Sequence, residues 1–236
     1  FAFSCAIPFG LNARQQNAWM YHGGGLELVR DFFKDYNCIN FPAGNTGCQM
    51  GGWFRKPINK VSDLKGLKMR IQSSKVLEAQ MRALGAIPQV LAFGEVYQAL
   101  QTGVVDGTEN PHSNLFTQKM NEVQKHITIT DHGYIGYAVV VNKKFWEGLP
   151  ADIRGQLTQA MADATKFANE DAVKDNEGAL AKVKATGKTE ILTLSKEERA
   201  VWKRALVKVH KEMESRVGAD IIQAVYKETG FDPAKI

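Results

Sequence analysis

The chain lacks the sequence marks of most familiar chemistries. No G-x-S-x-G occurs, so a nucleophile elbow is missing, although "YHGGG" at 21–25 is of the kind that builds an esterase oxyanion hole. Neither G-x-G-x-x-G nor G-x-x-x-x-G-K-[ST] is present to cradle a phosphate. The histidines, at 22, 112, 126, 132 and 210, form no H-x-x-x-H pair, which argues against a helical zinc site. No apolar run is long enough to cross a membrane as a helix. Cysteine is scarce: Cys5, Cys38 and Cys48 cannot all pair within one chain, and their spacing matches no zinc ligand set. One disulfide with a leftover thiol and three thiols are the two arrangements open to them. A start methionine is missing too. The chain opens on "FAFSCAIPFG", which reads as an apolar strand already in progress, and the expectation is a fragment lacking its N-terminal portion and any signal peptide.

What is there suits one large domain or two small ones: 236 residues, 44% of them hydrophobic. The net charge of +5 does not imply a nucleic-acid partner, because basic and acidic residues interleave, as in "KEERAVWKRALVKVHKEMESR", in the manner of a solvated helix face.

Strand and helix alternate at short intervals. "GGGLELVRDFFKDYN" places Leu26, Leu28, Val29, Phe32 and Phe33 on one helical side, and Asn40 to Pro42 then reads as a turn. "LKMRIQ" is a short strand, and "SSKVLEAQMRALGA" a helix with Ser74 as N-cap and Gly85 as its stop. "IPQVLAF" is a strand, "GEVYQALQTG" a helix closed by Gly103, and "VVDGTEN" another strand. "NLFTQKMNEVQK" is one helix, and "YIGYAVVVN" a buried strand. The order predicts an α/β fold with a parallel sheet and crossover helices.

The most informative stretch lies beyond Pro150. Ile153, Leu157, Met161, Ala164, Phe167, Ala168, Ala172 and Leu180 recur at helical spacings with no proline among them, although Gly155 and Gly178 weaken the pattern. A helix of about 35 residues would be about 50 Å long, which outruns a compact domain of about 100 residues, whose radius of gyration is near 13 Å. Two lobes with one helix, at 151–186, crossing both resolve the mismatch. A strand, "TEILTL", a helix opened by a capping box at Ser195–Glu198, and a last helix, "DIIQAVYKETG", complete the chain.

Three groups of residues could carry chemistry. "GNTGCQMGGWFRKPI" at 44–58 combines four glycines with Gln49, Trp53 and Arg55, a composition that lets a backbone approach another group closely. Asp106 and Glu109 are a possible acid/base pair, though neighbouring carboxylates near a strand end are more often surface or hinge groups. Arg70 sits within a strand. Facing outward it is ordinary; facing inward it needs an anion, which is either a structural carboxylate or a bound acid gripped by two parallel charge-assisted hydrogen bonds.

"DLKGLKMRIQSSKVLEAQMRALGAIPQVLAFGEVYQALQTGVVDGTENPHSN", followed by "YAVVVNKKFWEGLPADIR", resembles the substrate-binding proteins of tripartite ATP-independent periplasmic (TRAP) transporters. Over 61–236 the likeness is to the C4-dicarboxylate branch. "PFGLNARQQNAWMYHGGG" and "GNTGCQMGGWFRKPI", within residues 1–60, are similar instead to the 2-oxo-acid-binding branch. The resemblance implies an α/β, two-lobed periplasmic-binding-protein-like fold with hinge strands and a long helix spanning both lobes. Lobe I is expected at 1–47 plus 133–172, lobe II at 48–132 plus 173–236. It further implies a periplasmic, non-enzymatic receptor that captures a small organic carboxylate, a C4-dicarboxylate ahead of a 2-oxo acid, and delivers it to a sodium-driven membrane permease. The alternatives are a 2-oxo-acid receptor with a bridging cation and, in another class, a hydrolase or lyase acting on a small acid.

Carried over residue by residue, the resemblance makes Arg70 the carboxylate clamp and Asn110 a ligand contact. Gln49 and Glu109 match residues that hold a sodium or divalent ion in the oxo-acid branch, which however has Trp where this chain has Asn110. The dicarboxylate branch usually has a basic residue at the place of Met50. Trp53 and Arg55 would either wall the pocket or simply pack it, Phe9 would reach it from the other lobe, and the glycines near Gln49 would approach the bound acid. A first lobe without its N-terminal strands is expected to show an exposed sheet edge.

Overall fold

The computed structural model describes residues 13–236, and side chains within them apart from 13–16, 32, 48–51 and 228–229. Two helices, α1 (Ala13–His22) and α2 (Gly25–Phe33), lead into a 17-residue strand, β1 (Cys38–Phe54). Next come β2 (Lys68–Ile71), α3 (Lys75–Ala83), β3 (Ile87–Val90), α4 (Val96–Thr102) and β4 (Gly107–Asn110). Two short helices, α5 (His112–Thr117) and α6 (Met120–Val123), precede a second 17-residue strand, β5 (His126–Asn142). The chain ends with α7 (Lys143–Glu147), α8 (Ala151–Ala185), β6 (Glu190–Thr193), α9 (Lys196–Val217) and α10 (Ala219–Thr229).

The strands form one sheet in the order β3-β2-β4-β1-β5-β6. It is mixed rather than parallel throughout. β2 runs parallel to β3 and β4, and β6 to β5, whereas β1 is antiparallel to both β4 and β5. Only the inner ends of the long strands, 51–54 of β1 and 126–129 of β5, pair with further strands. Their outer stretches, 38–42 and 138–142, pair among the described residues only with each other. This explains why "AVVV" is not a buried strand there: Val139 and Val140 are exposed. Asn40–Pro42, read as a turn, belongs to the β1 ladder.

Period-two alternation sends the two faces of the sheet into separate apolar clusters. Phe54, Met69 and Ile71 pack with α3 and with Trp202 and Leu206 of α9. Trp53 and Ile127 pack on the other face with Leu100, Leu115, Met120 and Val183, contributed by α4, α5, α6 and the end of α8. Several boundaries follow from local chemistry. Ser74 Oγ accepts the Leu77 amide at the start of α3, Ser195 Oγ accepts that of Glu198 at the start of α9, and Gly103 closes α4 at φ 80°. The stretch 114–125 is not one helix: Lys119 adopts φ 54°, which breaks it into α5 and α6.

α8 is a single 35-residue helix, uninterrupted at Gly155 and Gly178. Thr165, Ala172, Asn176, Ala179 and Val183 form its buried stripe, which lies along β1, α5 and the second cluster.

Candidate functional site

β2, β3 and β4 are parallel, so their carboxyl ends share one edge of the sheet, the usual place for a ligand in an α/β architecture. Arg70 is the third of four residues in β2, and Asn110 ends β4. The register Arg70↔Thr108↔Trp53 puts these three side chains on one face, and Asn110, two residues beyond Thr108, joins them opposite Gly51.

Arg70 is 5% exposed. Its Nε and one terminal nitrogen donate to the Leu91 carbonyl at 3.1 and 2.9 Å, and the guanidinium lies 5.6 Å from the centre of the Phe93 ring. The loop after β3 therefore fixes the fork's orientation and commits two of its five N–H donors. Among the described residues Arg70 makes no ion pair. Burial pushes its pKa down, and the Glu109 carboxylate partly offsets that. A buried cation without a paired anion is costly, which makes this a place where an incoming carboxylate is favoured.

Asn110, also buried, donates its amide to Thr108 Oγ1 at 3.2 Å, and Asn114 of α5 approaches Asn110 Oδ1 at 3.5 Å. Glu109 points to the opposite face. There its carboxylate is hydrogen-bonded to His132 Nε2, while His132 Nδ1 lies 2.7 Å from Thr130 Oγ1 and its ring packs beside Trp202. A bridging cation needs several free oxygen ligands directed at one point. Glu109, turned away from Arg70 and engaged by His132, does not fit that role. No group of three or more His, Cys, Asp or Glu that could hold a metal occurs among the described residues.

The other expected residues divide. Trp53 is fully buried in the second cluster, edge-on to His112 at 6.3 Å, so on the face that carries Arg70 it is a packing residue. Arg55 is not brought to Arg70. It follows the end of β1 that pairs with the start of β4, the far edge of the sheet, and its guanidinium is bonded to the carbonyls of Leu100 and Gln101 at the end of α4. Asp106 and Glu109 are not a pair either: Asp106 accepts the Lys68 amide at 2.8 Å, at the other end of β4. The backbone of Gln49 lies opposite Gly133 in β5, but its side chain, like Phe9, falls outside the described residues. Cys38 is a free thiol; Cys5 and the Cys48 side chain also lie outside.

Two glycines expected to approach a bound acid approach α8 instead. A Cβ at Gly44 would stand 2.6 Å from the Ala168 methyl, and one at Gly47 2.6 Å from the Asn176 amide. Their density signals a close approach, but to this chain's own helix.

Comparison with known proteins agrees with this architecture. The model for "Bacterial extracellular solute-binding protein, family 7" matches residues 1–216. The C4-dicarboxylate-binding periplasmic protein DctP of Rhodobacter capsulatus is 63% identical over 173 residues, 73% of this chain and 52% of that protein. A monocarboxylate 2-oxoacid-binding periplasmic protein of Nostoc sp. is 56% identical over 109 residues, 46% of this chain and 29% of that one. The chain thus spans about half the length, or less, of these curated relatives. Among solved structures, a TRAP periplasmic solute-binding protein from Shewanella oneidensis with bound succinate superposes with a TM-score of 0.87. It is 32% identical, and the match covers 94% of this chain and 73% of that one. The fold is the two-lobed α/β fold of such proteins, and the chain belongs to the bacterial extracellular solute-binding proteins of family 7.

Proposed function

We propose that the chain carries the carboxylate-gripping half of a periplasmic receptor for a C4-dicarboxylate such as succinate or malate. One observation carries this reading: Arg70 is buried, held in place by the Leu91 carbonyl, and has no ion-pair partner among the described residues. An acid entering at the carboxyl ends of β2 and β4 would meet the free side of the fork, with the Asn110 and Asn114 amides beside it. Met50 supplies no second positive charge, so these neutral amides would serve the second carboxylate.

Closure of the two lobes over the acid, on strands β1 and β5, would be driven by the acid's preference for the closed state. No bond is made or broken, so the protein would act as a receptor rather than an enzyme, and it would hand its ligand to a TRAP permease. The expected lobe division, 1–47 plus 133–172 against 48–132 plus 173–236, places the Arg70 face in lobe II.

Similarity to the 2-oxoacid-binding protein of Nostoc favours a second reading, a 2-oxo acid bridged by sodium or a divalent ion. Calorimetric titration of the full-length protein with succinate, malate and pyruvate, with and without sodium and calcium, separates the two. Tight, ion-independent binding of succinate or malate is expected. Binding of pyruvate alone, only with a cation present, would establish the second reading and overturn the first. Turnover of a bound acid, followed by NMR, would overturn both.

A further inference from the structure

Asn176 is an amide in the middle of a 35-residue helix, 1% exposed, on a stripe otherwise continued by Ala172, Ala179 and Val183. Asparagine is a poor helix former, and a polar group buried on an apolar stripe is costly unless bonded. Both ends of this one are used. Nδ2 donates to the Thr46 carbonyl at 2.9 Å and to the Ala172 carbonyl at 2.7 Å, and Oδ1 accepts the Ser113 amide at 3.0 Å.

The two outside partners come from elements with backbone groups to spare. β1 slips register against β5 between Pro42 and Asn45, between Asn45 and Cys48, and between Gln49 and Gly51. Such bulges take carbonyls out of the ladder. α8 collects two of them: Thr165 Oγ1 donates to the Pro42 carbonyl at 2.6 Å, and Asn176 takes that of Thr46. Ser113 lies in the first turn of α5, where backbone N–H groups have no partner within the helix. Gly47 has the space for this because it has no side chain: a Cβ there would collide with the Asn176 amide.

α5 begins two residues after Asn110, and its Asn114 amide faces Asn110. One amide thus joins the irregular stretch of β1 to the helix that carries the end of β4. We infer that Asn176 is a positioning residue for the carboxylate site: it ties the bend of β1 to the placement of Asn110 relative to Arg70. Movement of β1 must then either carry α5 with it or release one end of the amide. The affinity part of this inference rests on the proposed function; the tether itself does not.

The test uses the full-length protein and compares Asn176→Leu with Asn169→Ala. Asn169 also holds β1, through Asn45, but has no bond to α5. Losing one end of a buried hydrogen-bonded pair corresponds to about a tenfold effect. Asn176→Leu should therefore accelerate amide exchange at Ser113 and weaken succinate binding by about that factor or more. Asn169→Ala should leave both within about threefold of the natural protein. Unchanged Ser113 exchange in Asn176→Leu, or equal losses of affinity in the two variants, would overturn the inference. Should the leucine variant fail to fold, Asn176→Ala, which opens space rather than filling it, repeats the comparison. If the natural protein binds no succinate, the proposed function fails, and Ser113 exchange alone decides the tether.

Discussion

Glu109 of β4 and His132 of β5, each 3% exposed, are hydrogen-bonded to one another across the intervening strand β1, on the face opposite Arg70. Thr130 completes the pair, since a hydroxyl can donate to His132 Nδ1 or accept from it, whichever the ring requires. His132→Leu would leave a buried carboxylate without its partner, a loss of about 3–5 kcal/mol. The double variant Glu109→Gln with His132→Leu removes the charge as well and should recover most of that loss. Urea unfolding of the four proteins measures the cycle; equal stability of the single and double variants would contradict the pairing.

The glycines of β1 make a contrast with one in the helical N-terminal region. Gly47 and Gly24 both have positive φ, 92° and 83°, but a Cβ at Gly47 meets Asn176 whereas one at Gly24 meets nothing within 4 Å. Gly24→Ala should therefore cost only the backbone strain, about 1–2 kcal/mol. Gly47→Ala adds the cost of overpacking, for a total of about 2–4 kcal/mol. Chemical denaturation of the two variants checks the ordering.

His210 predicts a pH dependence. It is buried against Tyr226 and Phe231, its Nδ1 is hydrogen-bonded to the Tyr226 hydroxyl, and burial lowers its pKa from 6.5 to about 4. Between pH 6.5 and about 4 the unfolded chain takes up a proton that the folded chain refuses, so stability falls with pH across that window and levels off below it. The full effect is about 3 kcal/mol. His210→Gln should flatten this part of the stability–pH curve, which thermal melts between pH 4 and 7 resolve.

Arg55 differs from Arg70 in kind. Its contact with the closing carbonyls of α4 is a helix C-terminal cap, worth about 0.3–1 kcal/mol. Arg55→Ala should lower stability by that amount and leave succinate affinity unchanged in calorimetry.

Some of this was legible in the sequence because it repeats. The spacing of Ile153 through Leu180 marks α8 almost to the residue, and Ser74, Gly85 and Gly103 mark boundaries that local chemistry alone determines. Arg70 stood out because a charge inside a short apolar strand demands a partner. What depended on a distant neighbour was hidden. The alternation Thr128-Thr130-His132 is a signal that His132 faces inward, but histidine spacing judged only as a metal pattern misses it. Asn176 looks like an ordinary helix-surface amide until β1 and α5 are seen against it. Gly44 and Gly47 announced a close approach without saying to what. Nothing local to Lys119 announces its left-handed backbone, and nothing in the apolar run at Val139–Val141 signals that β6 pairs with β5 only as far as Ile129.

Capture of an acid, as proposed, depends most on Arg70. Lys cannot reproduce a two-bonded grip on a carboxylate, so even Arg70→Lys should weaken succinate binding substantially. The most direct measurement is calorimetric titration of succinate into full-length Arg70→Ala beside the natural protein, with a urea melt of each. Loss of a buried charge partner predicts a fall in affinity of about a hundredfold or more, with cooperative unfolding retained. Affinity equal to that of the natural protein would contradict the claim that this guanidinium holds the ligand.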